Sequence, residues 1–207
     1  RGRVFHNAYG PTETSVIVTA EPWQAGRALT LGTALPHVEC QVLDRHGQPS
    51  PAGCVGELYV AGDYLATGYL GLPEKTAAAF VTPAEGPLAG VRLYATGDRV
   101  RRRDDGRHEF LGRRDHQVKI RGLRIELGEI EAALREAAGV NEAVALVHRA
   151  GTDAACIVAF VQGDADAAVL RETLHRRLPP HAQPAHIEVA ASLPQTASRK
   201  IDRRALS

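Results

Sequence analysis

Apolar and polar positions alternate in short runs over the first half of the chain and recur at helical spacing in the second. Residues 15–20 (SVIVTA) are nearly all apolar and predict a buried strand. Residues 38–43 (VECQVL) alternate and then meet a turn at 44–47. Residues 55–61 (VGELYVA) predict another strand, entered through Pro51-Ala52-Gly53, and Gly62, Gly68 and Gly71 then break the pattern into a loop. A short helix is predicted over 74–80. Short strands are predicted over 91–95, 99–103 and 107–111, the last two joined by the Asp104-Asp105-Gly106 turn. Residues 1–112 therefore read as mostly β.

The pattern changes after Gly112. Residues 117–120 predict a strand and Gly122 a turn. Over 127–137, Leu127, Ile130, Ala133, Leu134 and Ala137 recur at helical spacing. Strands follow at 141–148 and 155–162. A second helix over 166–177 is stopped by Pro179-Pro180, and a strand at 186–190 and a polar tail at 194–207 complete the chain. This β-α-β-β-α-β order predicts a small α+β domain. The boundary falls near residues 113–115, giving domains of 1–114 and 115–207.

Composition narrows the function classes. The 207 residues include 25 basic and 24 acidic ones, for a net charge of +1, so a strongly electrostatic nucleic-acid binder is excluded as the default. At 44 % hydrophobic and 24 % charged, the chain is an ordinary globular one. No apolar run approaches the roughly 18 residues of a membrane span. Neither nucleic acid nor membrane is expected as a partner. Cys40, Cys54 and Cys156 are far apart and form no C-x-x-C, which fits a reduced, cytoplasmic setting. The nine His lack metal-ligand spacing. There is no Met, and the chain opens at Arg1-Gly2-Arg3, straight into an expected strand, so an internal piece of something longer is expected. Only Lys75, Lys119 and Lys200 among the 25 basic residues are Lys. Biased coding explains the Arg excess, yet each Lys position is worth attention.

Four blocks are denser in glycine and polar residues than folding needs. The first, at 7–14, places hydroxyls and one carboxylate around a Gly-Pro turn, which is also how a merely capped turn reads. The second, at 94–98, ends on an Asp suited either to a sugar diol or to a turn. The third, at 112–122, is basic around one carboxylate, as a solvated face would be. The fourth is the basic tail from Leu193.

Together the blocks resemble the second half of the adenylation domain of nonribosomal peptide synthetases, in the adenylate-forming superfamily. The resemblance rests on N-A-Y-G-P-T-E at 7–13, G-E-L-Y-V-A-G at 56–62, Y-A-T-G-D at 94–98, G-R-x-D-x-Q-V-K-I-R-G-x-R-I-E-L-G-E-I-E at 112–131 and L-P-x-T…K-I-D-R-x-A-L at 193–206. It implies a fold of mixed α/β and α+β class: the end of the large domain, mostly β with a barrel-like subdomain, then a small mobile α+β domain. It implies ATP and Mg²⁺ as cofactors and an amino acid as substrate. It also implies an upstream half of the same domain and a downstream peptidyl carrier domain bearing phosphopantetheine as partners.

By that resemblance Tyr9, with Gly10, packs on adenine, Thr12 contacts the α-phosphate and Glu13 holds Mg²⁺. Asp98 and Arg113 take the ribose. Lys200 bridges substrate carboxylate and phosphate during adenylation. Asp115 is the hinge, and Lys119 and Gly122 belong to the loop for the thioester step. Ala8, Val16 and Ile17 line the substrate pocket, and their apolar character implies an apolar amino-acid side chain. Two departures stand out: Ser198-Arg199 where relatives have Asn-Gly, and Thr67 where they have Arg. No Gly/Ser/Thr-rich phosphate loop occurs in the sequence, so the piece alone is expected to be inactive. An acyl- or aryl-acid ligase of the same superfamily, or a non-catalytic carrier-docking remnant, are the alternatives.

Overall fold

A computed structural model describes residues 3–115 and 117–206. The two opening residues, expected to run into a strand, and His116 of the central basic block lie outside the described residues. The chain divides into two units, Arg1–Asp115 and His116–Ser207.

In the first unit β1 (His6–Tyr9) and β2 (Thr19–Pro22) pair antiparallel, and β3 (Thr33–Ala34) adds to β2. A second sheet contains β4 (Glu39–Leu43), β5 (Val55–Ala61), β6 (Phe80–Val81) and β7 (Leu93–Arg102), in spatial order β4-β5-β7-β6. β8 (His108–Arg113) pairs with the end of β7. The short helix α1 (Pro73–Ala79) starts on a proline, whose missing N–H costs a first turn nothing. Alternation along the strands sends Leu58 and Val100 inward to meet Leu31 and Val42, while Leu43, Ala61 and Leu93 form a second cluster. Each fully buried Leu or Val contributes about 1.5–3 kcal/mol by leaving water.

Three sequence expectations are corrected in this unit. The sheet stays open, and among the described residues there is no closed barrel, because the path ends at β4 and β6 without a pairing between them. Residues 15–17 are not strand: Ser15 and Val16 take φ of 60° and 80°, and β2 begins only at Thr19. The strands expected at 91–95 and 99–103 are one strand, β7, carried through Thr96-Gly97-Asp98 by a bulge.

In the second unit β9 (Gln117–Ile120) and β10 (Leu123–Glu126) form a hairpin. β10 is a strand the apolar pattern did not reveal, since Arg124 and Glu126 flank a single buried Ile125. Then come α2 (Leu127–Arg135), β11 (Val140–His148), β12 (Cys156–Gly163), α3 (Ala167–Arg177) and β13 (His186–Ala190). The expected β-α-β-β-α-β order is present with β10 added after its first strand. β11 and β12 are antiparallel neighbours, whereas β12 and β13 are parallel and need the crossover that α3 supplies. The Asp166 side chain caps α3 by accepting from Ala168 N at 2.6 Å. Ile130 and Leu134 of α2 and Leu170 and Leu174 of α3 pack on Ala143, Ala145, Ile157, Ala159 and Val161 of the sheet. The three alanines present little bulk beneath the helices. Among the described residues no helix is long and apolar enough to cross a membrane.

Candidate active site

The bulge in β7 builds the centre of the first unit's site. Glu57 of β5 faces Arg99 and Tyr59 faces Ala95, so Leu58 alone opposes Thr96-Gly97-Asp98. Thr96 repairs the broken ladder: its hydroxyl donates to Leu58 O at 2.8 Å and accepts from Asp98 N at 3.0 Å. Bulges re-aim side chains, and here the re-aimed one is Asp98, opposite Arg113 in the β7–β8 register. Gly97 has φ 74°, and a Cβ there would lie 2.6 Å from Arg113 Nη2. Only glycine satisfies both demands.

Asp98 is 5 % exposed. Its Oδ1 accepts from Arg113 Nη1 at 2.7 Å, and its Oδ2 accepts the Tyr9 hydroxyl at the end of β1. Arg113 turns the rest of its fork to Asp115, at 2.6 Å from Nε and 2.7 Å from Nη2. Tyr9 also lies against the Leu31–Val42–Leu58–Val100 cluster, so its ring is held at body and tip. Burial, reinforced by the facing Asp98 carboxylate, pushes the Tyr9 phenol up, and it remains a neutral donor. Burial alone would lower the Arg113 pKa, but Asp115 and Asp98 outweigh it and hold the guanidinium above its ordinary value. Each carboxylate oxygen has two acceptor sites. Asp98 can therefore keep both protein donors and still accept from a diol.

The β1–β2 connection carries the next group. Gly10 has no room for a side chain, because a Cβ would lie 2.3 Å from Val16 O. Thr12–Thr14 form a 3-10 turn in which Thr12 is exposed and Glu13 buried. Tyr69 donates its hydroxyl to Glu13 Oε1 at 2.7 Å. Burial, then Glu13, pushes the Tyr69 phenol up as well. Ala8, Val16 and Ile17 are all exposed, Val16 at 68 %. A β-branched residue at φ 80° is strained, and the strain is held by neighbours: Ser15 Oγ donates to Tyr64 O at 2.9 Å, and Val18 N to Tyr9 O at 2.8 Å.

Two turns of the second unit carry its candidate residues. Arg121 and Gly122 both have positive φ, as a two-residue hairpin loop between Ile120 and Leu123 demands. Lys119 is exposed just before it. The tail forms the other turn. Gln195 bridges Ile201, Thr196 N donates to Lys200 O at 2.8 Å, and Arg199 N donates to Thr196 O at 2.9 Å. Lys200 is exposed, with no side-chain hydrogen bond or ion pair among the described residues.

The structure thus brings Tyr9, Asp98, Arg113 and Asp115 into one network, with Glu13 on the turn that follows Tyr9. The first 70 residues match the family model "AMP-binding enzyme", and residues 129–200 match "AMP-binding enzyme C-terminal domain". This chain belongs to the AMP-binding, adenylate-forming enzyme family. Within that family it is similar to peptide synthetases. It is 42 % identical to bacitracin synthase 3 of Bacillus licheniformis over 99 % of the chain and 3 % of that protein. It is 44 % identical to phosphinothricin tripeptide synthetase PhsC of Streptomyces viridochromogenes over 99 % of the chain and 19 % of that protein. Among solved structures, holo-PA1221, described as an NRPS protein containing adenylation and PCP domains, superposes with a TM-score of 0.81 at 33 % identity, over 97 % of this chain and 35 % of that one. The chain spans a small part of these relatives.

The two departures from the family pattern acquire physical content. Arg199 has φ 61°, the left-handed position of a three-residue hairpin loop, where glycine is favoured. An Arg there costs about 1–2 kcal/mol, while glycine's looser unfolded chain gives back roughly 0.5–1 kcal/mol. Arg199→Gly is therefore expected to stabilise the second unit by about 0.5–1 kcal/mol, read as a rise in its melting temperature; a fall would overturn the strain argument. At Thr67 the loop is fastened from outside: Arg92 donates to Ala66 O and Thr67 O, each at 2.9 Å, and stacks 4.5 Å over the Phe80 ring. Sequence reasoning missed Arg92 and Tyr69. It also missed Glu57, which accepts from Gly97 N at 3.2 Å and Arg114 Nη1 at 2.8 Å. Only Glu57 and Tyr69 left a signal, as residues within or next to family blocks. Cys40 offers no nucleophile, since burial pushes its thiol up to about 12.

Proposed function

We propose that this chain is the C-terminal part of an amino-acid-activating adenylation domain. In the first step the amino-acid carboxylate attacks the α-phosphorus of ATP. The bond to the bridging oxygen breaks, and pyrophosphate leaves with its electron pair. In the second step a carrier phosphopantetheine thiolate attacks the carbonyl carbon of the aminoacyl-adenylate, and AMP leaves.

The observation that carries this reading is the buried Asp98 carboxylate, which holds Tyr9 and Arg113 from three separate sequence blocks. That arrangement supports a nucleoside site: the Tyr9 ring, locked by its hydroxyl, as a platform for adenine, with Gly10 fixing the turn beside it, and Asp98 with Arg113 for the ribose. The exposed Thr12 hydroxyl is suited to donate to the α-phosphate. Among the described residues no group of three or more His, Cys, Asp or Glu is placed to hold a metal. Glu13, on the turn after Tyr9, would supply one carboxylate to Mg²⁺, an ion that takes one or two carboxylates together with phosphate oxygens and water. When bound, Mg²⁺ supplies charge neutralisation at the phosphates. Lys200 supplies a compact, mobile cation for the substrate carboxylate and α-phosphate during adenylation. Lys119 and Gly122 serve the thioester step, and Asp115, the last residue of the first unit, is the hinge. The exposed Ala8, Val16 and Ile17 favour an apolar substrate side chain.

The test is ATP–pyrophosphate exchange by a complete adenylation domain carrying these residues, followed by acyl transfer to a holo carrier domain. Exchange is expected to depend on an amino acid with an apolar side chain, the acyl group to reach the carrier thiol, and the 207-residue chain alone to give no exchange. Transfer to free coenzyme A in place of the carrier, or exchange driven by an aryl or fatty acid, would overturn the reading.

A further inference from the structure

One buried carboxylate lies outside the residues assigned above to nucleotide, metal or substrate. Glu131 of α2 is 5 % exposed. Its Oε1 accepts from Ala145 N of β11 at 2.9 Å and from Arg203 Nη2 at 2.5 Å, and its Oε2 accepts from Arg135 Nη2 at 3.2 Å. The second arm of Arg203 donates to Ala145 O at 3.1 Å. β11 is an edge strand of its sheet. Both backbone polar groups of Ala145 on that edge are therefore taken by side chains, as a neighbouring strand would take them. Glu131 and Arg203 close a ring on the sheet edge.

Arg203 lies three residues beyond Lys200, on the returning leg of the tail turn. The leg is short and braced: Asp202 N donates to Pro194 O at 2.8 Å, and Asp202 Oδ1 accepts from Arg204 N at 3.0 Å. The opposite leg starts at Leu193, 6 % exposed, while residues 194–200 are all exposed. No side chain within 194–200 is buried, so the turn carrying Lys200 is held at its feet, by Leu193 on one side and by the half-buried Ile201 and Arg203 on the other.

We infer that the Glu131–Arg203–Ala145 clamp is a positioning device for Lys200, serving the adenylation half-reaction and not the thioester half-reaction. The inference rests on the adenylation reading of Lys200. The clamp acts by fixing where the turn emerges. A displacement of about 1 Å in a reacting group costs up to roughly 10²-fold in rate. The other candidate loop, with Lys119 and Gly122, sits on the β9–β10 hairpin, which contains neither Glu131 nor Arg203. Glu131 also accepts from Arg135, so removing Arg203 leaves the buried carboxylate a cation, and the unit is expected to keep its fold.

The experiment uses Arg203→Met, Lys200→Met and the double variant in a complete adenylation domain carrying these residues. It follows pyrophosphate exchange, acyl transfer to a holo carrier from supplied aminoacyl-adenylate, and melting temperature. Arg203→Met is expected to lower the kcat of adenylation roughly 10- to 100-fold, with the KM values and the transfer step changed by less than about threefold. Because Arg203 acts through Lys200, the double variant is expected to be no slower than Lys200→Met alone. Arg203→Lys, which can reach Glu131 or Ala145 O but not both, is expected to recover part of the loss. Glu131→Gln, which keeps an acceptor for Ala145 N, is expected to follow Arg203→Met in direction. Equal slowing of both half-reactions, or a further loss in the double variant, would overturn the inference and leave Lys200 in place. An unchanged adenylation rate in Lys200→Met would instead overturn the Lys200 assignment beneath it.

Discussion

Lys200→Met is expected to slow amino-acid-dependent pyrophosphate exchange by about 10²- to 10³-fold, the scale of one lost charge-stabilising donor. Acyl transfer from supplied aminoacyl-adenylate is expected to stay within about threefold, because the proposed function assigns that step to the loop with Lys119 and Gly122 and not to Lys200. The split is what makes the result informative. Lys200 is exposed on a hairpin turn and its side chain has no partner among the described residues, so truncating it removes no side-chain hydrogen bond or ion pair. A drop in rate would therefore report chemistry and not folding, and the melting temperature is expected to move by less than that of a core variant. Lys200→Arg is expected to recover little. The guanidinium is a planar fork on a stiffer head group, whereas the proposed role calls for a point charge shared between a carboxylate and a phosphate oxygen. Full exchange activity in Lys200→Met, or equal loss in both half-reactions, would remove Lys200 from the adenylation step.

The helices and the longer strands were legible because their apolar period is complete within a dozen residues. Ile130 and Leu134 announce α2, and the alternation of Ile157, Ala159 and Val161 announces β12. The candidate site residues were singled out for a different reason: they sit in short blocks whose wording matches a family. What was not legible depends on contacts between residues far apart in sequence. Residues 15–17 look like a strand because Val16 and Ile17 are β-branched, yet Gly10 admits the Val16 carbonyl at a distance no other residue would allow. Local propensity loses there to the geometry of a turn closed by Val18 and Tyr9. The β7 bulge was hidden because Gly97 reads as a break between strands, and only the pairing of Thr96 with Leu58 shows that the strand continues. Glu131 lies within a family block, but nothing near it reveals that its partner is Arg203, 72 positions away. Arg92 carries no motif at all. Its role comes from Phe80 beneath it and two loop carbonyls beside it.

Asp98→Asn is expected to raise the KM for ATP by roughly 10- to 100-fold, which at 1.4 kcal/mol per decade matches the 1.5–3 kcal/mol of a hydrogen bond to a charged group. The amide is nearly isosteric. Its oxygen can still accept from Arg113, and its NH₂ can donate to the Tyr9 oxygen, so the network reverses one bond and survives. Arg113 keeps both bonds to Asp115, and the cost in stability is expected to be about 1–3 kcal/mol. Tyr9→Phe separates the two roles. It removes only the hydroxyl that ties the ring to Asp98, leaving the charge for the ribose, and is expected to raise KM by less than about fivefold. The decisive readout is discrimination between nucleotides. If Asp98 accepts from the ribose diol, the native enzyme will prefer ATP over 2′,3′-dideoxy-ATP by a factor that collapses toward one in Asp98→Asn. A residue that merely braced Tyr9 and Arg113 would weaken both nucleotides alike and leave that ratio intact. The outcome thus separates a carboxylate that reads the sugar from one that only holds the wall of its site.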